Sequence, residues 1–169
     1  MDIYEFAKQF ETDGREYYLK LAEESKSEYL QQLFTMLADD ELKHYEIVNR
    51  LQEQDAEYIP SKSFEEVRTI FRRCLDANET FTADITNLEA YARAIELETE
   101  SFDFYKEQGD KAKNPIERGI LYRIANEEIR HQITLENLME LVRKPEVWVE
   151  SPEFSHLEEY DHFTDRDIY

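Results

Sequence analysis

Residues 34–51 read FTMLADDELKHYEIVNRL and residues 121–138 read LYRIANEEIRHQITLENL. Laid over one another at an offset of 87 residues, without a gap, they are identical at Ala38/Ala125, Glu41/Glu128, His44/His131 and Leu51/Leu138. Phe34/Leu121, Leu37/Ile124, Asp40/Glu127, Lys43/Arg130 and Val48/Leu135 are similar in kind. The apolar members recur at intervals of three and four, the period of one face of a helix. Each stretch is therefore a helix whose apolar stripe is continued by a Glu and, one turn on, a His.

The same offset pairs the segments upstream, where Tyr4/Tyr91, Ala7/Ala94, Glu11/Glu98 and Tyr18/Tyr105 are identical and Asp13/Glu100 and Tyr17/Phe104 similar. The chain thus contains a duplicated helical hairpin, residues 1–54 and 88–141. The first helix runs from Asp2 to about Glu24, its inward face taken to include Ile3, Ala7, Phe10, Gly14, Tyr17, Tyr18 and Leu21. The second runs to about Gln54, with Tyr29, Leu30, Leu33, Phe34, Leu37, Ala38, Tyr45, Val48 and Leu51 inward. Asn87 is expected to cap the third, which ends near Gly109, and Asn114-Pro115 opens the fourth, which Pro145 ends. Residues 55–86 form a long crossover: Pro60 breaks the chain, Ser61 or Ser63 can cap, and Phe64, Val67, Ile70, Phe71, Cys74 and Leu75 make a short amphipathic helix. Two hairpins joined this way give an all-α four-helix bundle with one long crossover over residues 1–143, followed by a tail, 144–169, that docks on the bundle or on a second subunit.

Composition agrees. Only 3 Gly and 4 Pro occur in 169 residues, too few for the many tight turns of a β-sandwich or barrel. Forty acids against twenty bases give a formal charge of −20 at pH 7, a field that repels phosphate backbones and anionic headgroups and so excludes nucleic acid and membrane surfaces as partners. No basic stretch precedes an apolar one at Met1-Asp2-Ile3-Tyr4, and nowhere do 18 apolar residues run uninterrupted, so a cytoplasmic protein is expected. The single cysteine, Cys74, is read as a small buried hydrophobe and cannot supply a disulfide or a four-cysteine metal site within the chain.

Four glutamates and two histidines lie on apolar stripes and recur in both halves: Glu11, Glu41 and His44, then Glu98, Glu128 and His131. A buried, unpaired carboxylate costs several kcal/mol unless something neutralises it. Two divalent cations bring four positive charges, four carboxylates balance them, and two neutral imidazoles complete the coordination. Without metal the same groups would crowd like charges, and some would take protons. Tyr18 and Tyr105 are core aromatics or donors to ligand glutamates, and both can hold together. In the tail, His156, Glu159 and His162 lack a repeat partner and are not read as a site, and Trp148 is read as a docking anchor.

These residues resemble the ferritin-like di-iron carboxylate proteins, and among them the rubrerythrin family, over about residues 1 to 143. The resemblance implies a ferritin-like bundle holding two iron ions, with Glu41 and Glu128 bridging, Glu11 and Glu98 terminal, His44 and His131 one per metal, and Tyr18 and Tyr105 behind the ligands. Manganese and, less selectively, zinc suit the same donors. Rubrerythrins that reduce peroxide pair such a bundle with a rubredoxin domain, which one cysteine cannot provide, so an external donor such as a rubredoxin-like protein is implied. The family also carries an additional carboxylate one turn from the third-helix ligand, where this chain has Ser101 and Ile95; Glu96 and Glu100 stand roughly 160 to 200° around the helix from Glu98. The expected function is reduction of hydrogen peroxide or dioxygen by a non-haem di-iron oxidoreductase. The alternatives are an iron-binding or ferroxidase protein for storage or delivery, and a metal-free acidic interaction module. A homodimer is expected, with Tyr58 and Phe81 among the outer apolar residues wanting cover.

Overall fold

Leu33, Phe34, Leu37 and Ala38 on one helix and Leu135 and Leu138 on another are fully buried, and they define how the chain closes. The computed structural model describes residues 2–55, 57–81 and 84–143. Among these there is no strand, and the order is α1 (Ile3–Glu24), α2 (Glu28–Gln52), α3 (Ser63–Asp76), a short 3-10 turn (Ile85–Asn87), α4 (Leu88–Lys111) and α5 (Pro115–Arg143). The fold is the expected all-α bundle. α1 packs along α2 and α4 along α5, each pair joined by a short turn, while α3, carried by the crossover, lies on α2. None of the described helices is long and apolar enough to cross a membrane.

The core is divided into two apolar clusters. One gathers Tyr18 and Leu21 of α1, Leu30 to Ala38 of α2, Tyr91 and Ala94 of α4 and Leu135 to Val142 of α5, with Val67, Ile70, Phe71 and Cys74 of α3 closing it. The other gathers Ala7, Ile47, Val48, Leu51, Tyr105, Ile120, Leu121, Ile124 and Ala125. On each of the four long helices the expected glutamate falls between the two clusters, so a polar layer is held between apolar ones. Burying each large side chain contributes about 1.5–3 kcal/mol, which sets the helix register against the cost of that layer.

Local details depart from expectation in four places. Asn114 caps α5, its Oδ1 accepting from Ile116 N at 2.9 Å, but the side chain of Asn87 makes no cap, because the 3-10 turn brings Asn87 N onto Asp84 O at 3.0 Å before α4 begins. Gly109 lies inside α4, which runs on to Lys111, and its role is close approach: a Cβ there would stand 2.7 Å from the Tyr122 ring of α5. Ile3 and Tyr45 are exposed, whereas Phe81 is buried in the core and Tyr58 is half-buried, its hydroxyl turned to Glu127; the exposed apolar side chains among the described residues also include Phe6, Leu19, Leu42, Ile59 and Ile116, Phe6 packing 5.2 Å from the Phe104 ring. α2 and α3 end in reversing turns, with Asp55 N on Arg50 O and Glu79 N on Cys74 O, which place Gln54 and Asn78 at positive φ in a chain with few glycines. Cys74 is buried and its thiol is pushed up to about 12 by that burial, as suits an inert core residue. The side chains of Phe64 and Leu75, and the tail with Pro145, Trp148, His156, Glu159 and His162, lie outside the described residues.

The glycines give a test of the α4–α5 approach. Replacing Gly by Ala in a helix interior gains about 1 kcal/mol where there is room. Gly119 has open space around it, so Gly119→Ala is expected to raise stability by up to about that much, whereas Gly109→Ala meets Tyr122 and is expected to lower it by about 1–2 kcal/mol. Urea unfolding of both variants checks this, and equal stabilisation by the two would rule out the close packing at Gly109.

Candidate metal centre

Glu11 comes from α1, Glu41 and His44 from α2, Glu98 from α4, and Glu128 and His131 from α5; all six are buried. The structure brings them into two groups: Glu11, Glu41, His44 and Glu128, and Glu41, Glu98, Glu128 and His131, each offering ligand atoms within 4.8 Å of one another. Glu41 and Glu128 belong to both. His44 Nδ1 stands 3.6 Å from Glu11, 3.7 Å from Glu41 and 3.2 Å from Glu128. His131 Nδ1 stands 3.2 Å from Glu41, 3.5 Å from Glu98 and 3.4 Å from Glu128. Both ring Nδ1 atoms, Glu11 Oε2, Glu41 Oε1 and Glu128 Oε2 are buried without a hydrogen-bond partner. Buried polar atoms are nearly always satisfied, so orphans from five residues converging on one place fit a cationic occupant. Oxygen and imidazole donors in this number suit two first-row divalent ions.

Around this set stands a ring of hydrogen bonds. Tyr18 of α1 donates to Glu98 of α4, and Tyr105 of α4 donates to Glu11 of α1. Ser101 Oγ donates to Glu128 Oε1 at 2.8 Å. Glu96 and Glu100 are exposed beside Arg93, away from the cluster, as the helical angle requires. Two acids that sequence reasoning assigned no role are also here: Glu127 Oε2 lies 2.7 Å from His44 Nε2, and Asp40 Oδ2 lies 3.3 Å from His131 Nε2. They match at the repeat offset as a similar pair, a signal that was present but carried by two different residue types. Tyr58, Ser61 and Ser63, which hold these acids from the crossover, lie outside the repeat and left no such signal.

Charge is distributed unevenly over the cluster. Burial, and then the nearby charge of Glu128, raises Glu11 well above the carboxylate range and pushes Glu98 up to about 8. Burial would raise Glu128 too, but both imidazoles outweigh it and hold that carboxyl well below its usual range. Burial alone would lower the two histidines, yet Glu128 beside His44 and Glu98 beside His131 lead a set of carboxylates that raises both well above the usual imidazole value. The metal-free cluster therefore keeps extra protons where cations would otherwise stand. A cavity of about 20 Å³ between α1 and α4, lined by Phe10, Gly14, Tyr18, Glu41, Glu98 and Ser101, reaches the cluster. It has room for about one water-sized molecule and none for an organic substrate.

An all-α bundle with paired carboxylate–histidine groups in its mid-layer belongs to the class of bundles that can hold two cations between their helices. Within that class the chain belongs to the rubrerythrin family: the family model Rubrerythrin matches residues 2–139. Members of that family hold a di-iron centre. Comparison with curated proteins and with solved structures gives no match.

Proton uptake gives the cluster a stability signature. A group whose folded pKa is raised stabilises fully below its unfolded value and loses that contribution as pH rises through the folded one. For Glu98 the window runs from 4.5 to about 8, and Glu11 and both histidines act in the same direction. The melting temperature of the metal-free protein is thus expected to fall between about pH 5 and about pH 9, and Glu98→Gln is expected to flatten the slope. A rise over that range would contradict this charge distribution.

Proposed function

We propose that this chain is a non-haem di-iron oxidoreductase that reduces hydrogen peroxide with electrons from an external donor. The observation that carries the reading is the set of orphaned, inward-facing atoms on Glu11, Glu41, His44, Glu128 and His131, with Glu41 and Glu128 common to both groups. In this reading Glu11, Glu41, His44 and Glu128 would hold one cation and Glu41, Glu98, Glu128 and His131 the other, with Glu41 and Glu128 common to both. When bound, two ferrous ions supply the two electrons that peroxide needs, one each, and the product is water once two protons are added.

The chain's own residues govern access, orientation and protons. The narrow cavity beside Gly14 and Ser101, about 20 Å³, reaches the cluster and limits what can approach it to very small molecules. Tyr105 and Tyr18 hold Glu11 and Glu98 from behind with hydroxyls whose protons burial makes hard to lose, so both act as fixed donors. Ser101 fixes one oxygen of Glu128. The one cysteine is buried in the apolar core, so a rubredoxin-type site cannot be assembled within these 169 residues, and the electron donor is a separate centre. A rubredoxin-like protein fits that role.

Ser101 favours a second reading. It stands where the family's additional carboxylate is expected, and its hydroxyl donates to Glu128 Oε1. A donor set without that carboxylate also suits a protein whose whole reaction is oxidation of ferrous ion for storage or delivery.

The test begins with anaerobic ferrous loading. Wild type is expected to retain about two irons per chain, and a Glu41→Ala, Glu128→Ala double variant to lose both. Rapid mixing of the loaded protein with peroxide, and separately with dioxygen, then separates the readings. Sustained peroxide consumption with a reductant supports the first, a single round of oxidation followed by iron release or mineral supports the second, and equal, negligible retention by wild type and variant rejects the di-iron assignment.

A further inference from the structure

A neutral imidazole carries one N–H, and the nitrogen that keeps it cannot bind a cation. In both histidines the nitrogen aimed at the cluster is Nδ1, so Nε2 must hold the proton and needs an acceptor. The acceptors come crosswise: His44 of α2 faces Glu127 of α5, and His131 of α5 faces Asp40 of α2. Neither acid can swing away. Glu127 spends Oε2 on His44 while Oε1 accepts from Ser61 N at 3.0 Å and from the Tyr58 hydroxyl. Asp40 spends Oδ2 on His131 and the Ser63 hydroxyl, while Oδ1 accepts from Ser61 Oγ at 2.7 Å and Lys43 Nζ at 2.8 Å. Ser61 serves both acids, Glu127 through its backbone and Asp40 through its side chain.

We propose that Asp40 and Glu127, braced by Ser61 of the crossover, are positioning residues, each fixing the imidazole of the opposite hairpin with Nδ1 toward the metal and so each governing one of the two cation positions. Glu127 governs the position of Glu11 and His44, and Asp40 that of Glu98 and His131. The crossover is then part of the site, since it holds both acids at once. This rests on the di-metal reading above.

Zinc, a diamagnetic probe for the same donors, separates the two claims. Wild type is expected to bind two Zn²⁺ per chain by calorimetric titration, with both imidazoles in the Nε2–H form by nitrogen-correlated NMR. Glu127→Ala is expected to weaken one ion by roughly 10- to 100-fold and to move the His44 signals while those of His131 stay; Asp40→Ala is expected to do the reverse. Glu127→Gln keeps one acceptor oxygen where Glu127 uses two, so it is expected to move the His44 signals in the same direction as Glu127→Ala but by less, and to leave those of His131 in place. Ser61→Ala, at a half-buried position, removes the donor to Asp40 and the acceptor of Ser63 N, keeps the backbone N–H that serves Glu127, and is expected to weaken the His131 ion alone, by less than Asp40→Ala does. Should the alanine variants of the acids fail to fold, Glu127→Gln and Ser61→Ala decide. Two ions bound by wild type, with no change in the variants or an equal change at both histidines, overturns the positioning role only. No Zn²⁺ bound by wild type overturns the di-metal reading and this inference with it.

Discussion

The rest of the structure depends on crowding four carboxylates into a buried layer one or two side chains thick. In a low-dielectric interior such groups repel strongly and forfeit hydration, so each needs compensation from cations, protons or hydrogen-bond donors. The bundle supplies two of these itself: tyrosine and serine hydroxyls on Glu11, Glu98 and Glu128, and imidazoles between the acids. What it leaves unsupplied is the set of orphaned atoms facing inward, the share that cations would take in the proposed reading. The two apolar clusters above and below fix the helices tightly enough that the layer cannot relax into solvent.

The sequence repeat at an offset of 87 places one Glu and one Glu-x-x-His on each hairpin, so each hairpin contributes half of the candidate site. The ring of hydrogen bonds is correspondingly reciprocal. Tyr18 and Tyr105 exchange donors between α1 and α4, and His44 and His131 exchange acceptors between α2 and α5. These exchanges join helices whose backbones approach one another far less than α1 approaches α2 or α4 approaches α5. Polar contacts around the site thus tie the two hairpins together at mid-height, where apolar packing is interrupted.

That duplication is also why so much was legible in the sequence. The helices follow from apolar spacing, and Glu11, Glu41, His44 and their repeats stand out as polar residues at one offset on apolar stripes. Asp40 and Glu127 were harder to see: one residue before each Glu-x-x-His, they sit about 100° around the helix from the ligand, a direction a single helix presents as flank and only the neighbouring helix turns into interior. Tyr58, read as an outer apolar residue, could not be placed because its partner Glu127 is 69 residues away and the crossover has no second copy to compare. Gly109 has the same local signature whether it ends a helix or admits a ring, and only the Tyr122 contact distinguishes them.

The departures from symmetry are therefore informative about the chemistry. Ser101 and Gly14 occupy equivalent positions at the repeat offset, yet Ser101 donates to Glu128 while Gly14 leaves Glu41 with only an ordinary contact, 3.6 Å from where its Cβ would be. Glu128 thus has one oxygen engaged by a neighbour, and Glu41 Oε1 has none. The small cavity between α1 and α4 is lined by both Gly14 and Ser101, together with Glu41 and Glu98. The crossover braces the opposite, histidine-bearing side through Ser61 and Tyr58. The polar layer is thus braced by the crossover on its histidine-bearing side and reached by a small cavity between α1 and α4 on the other.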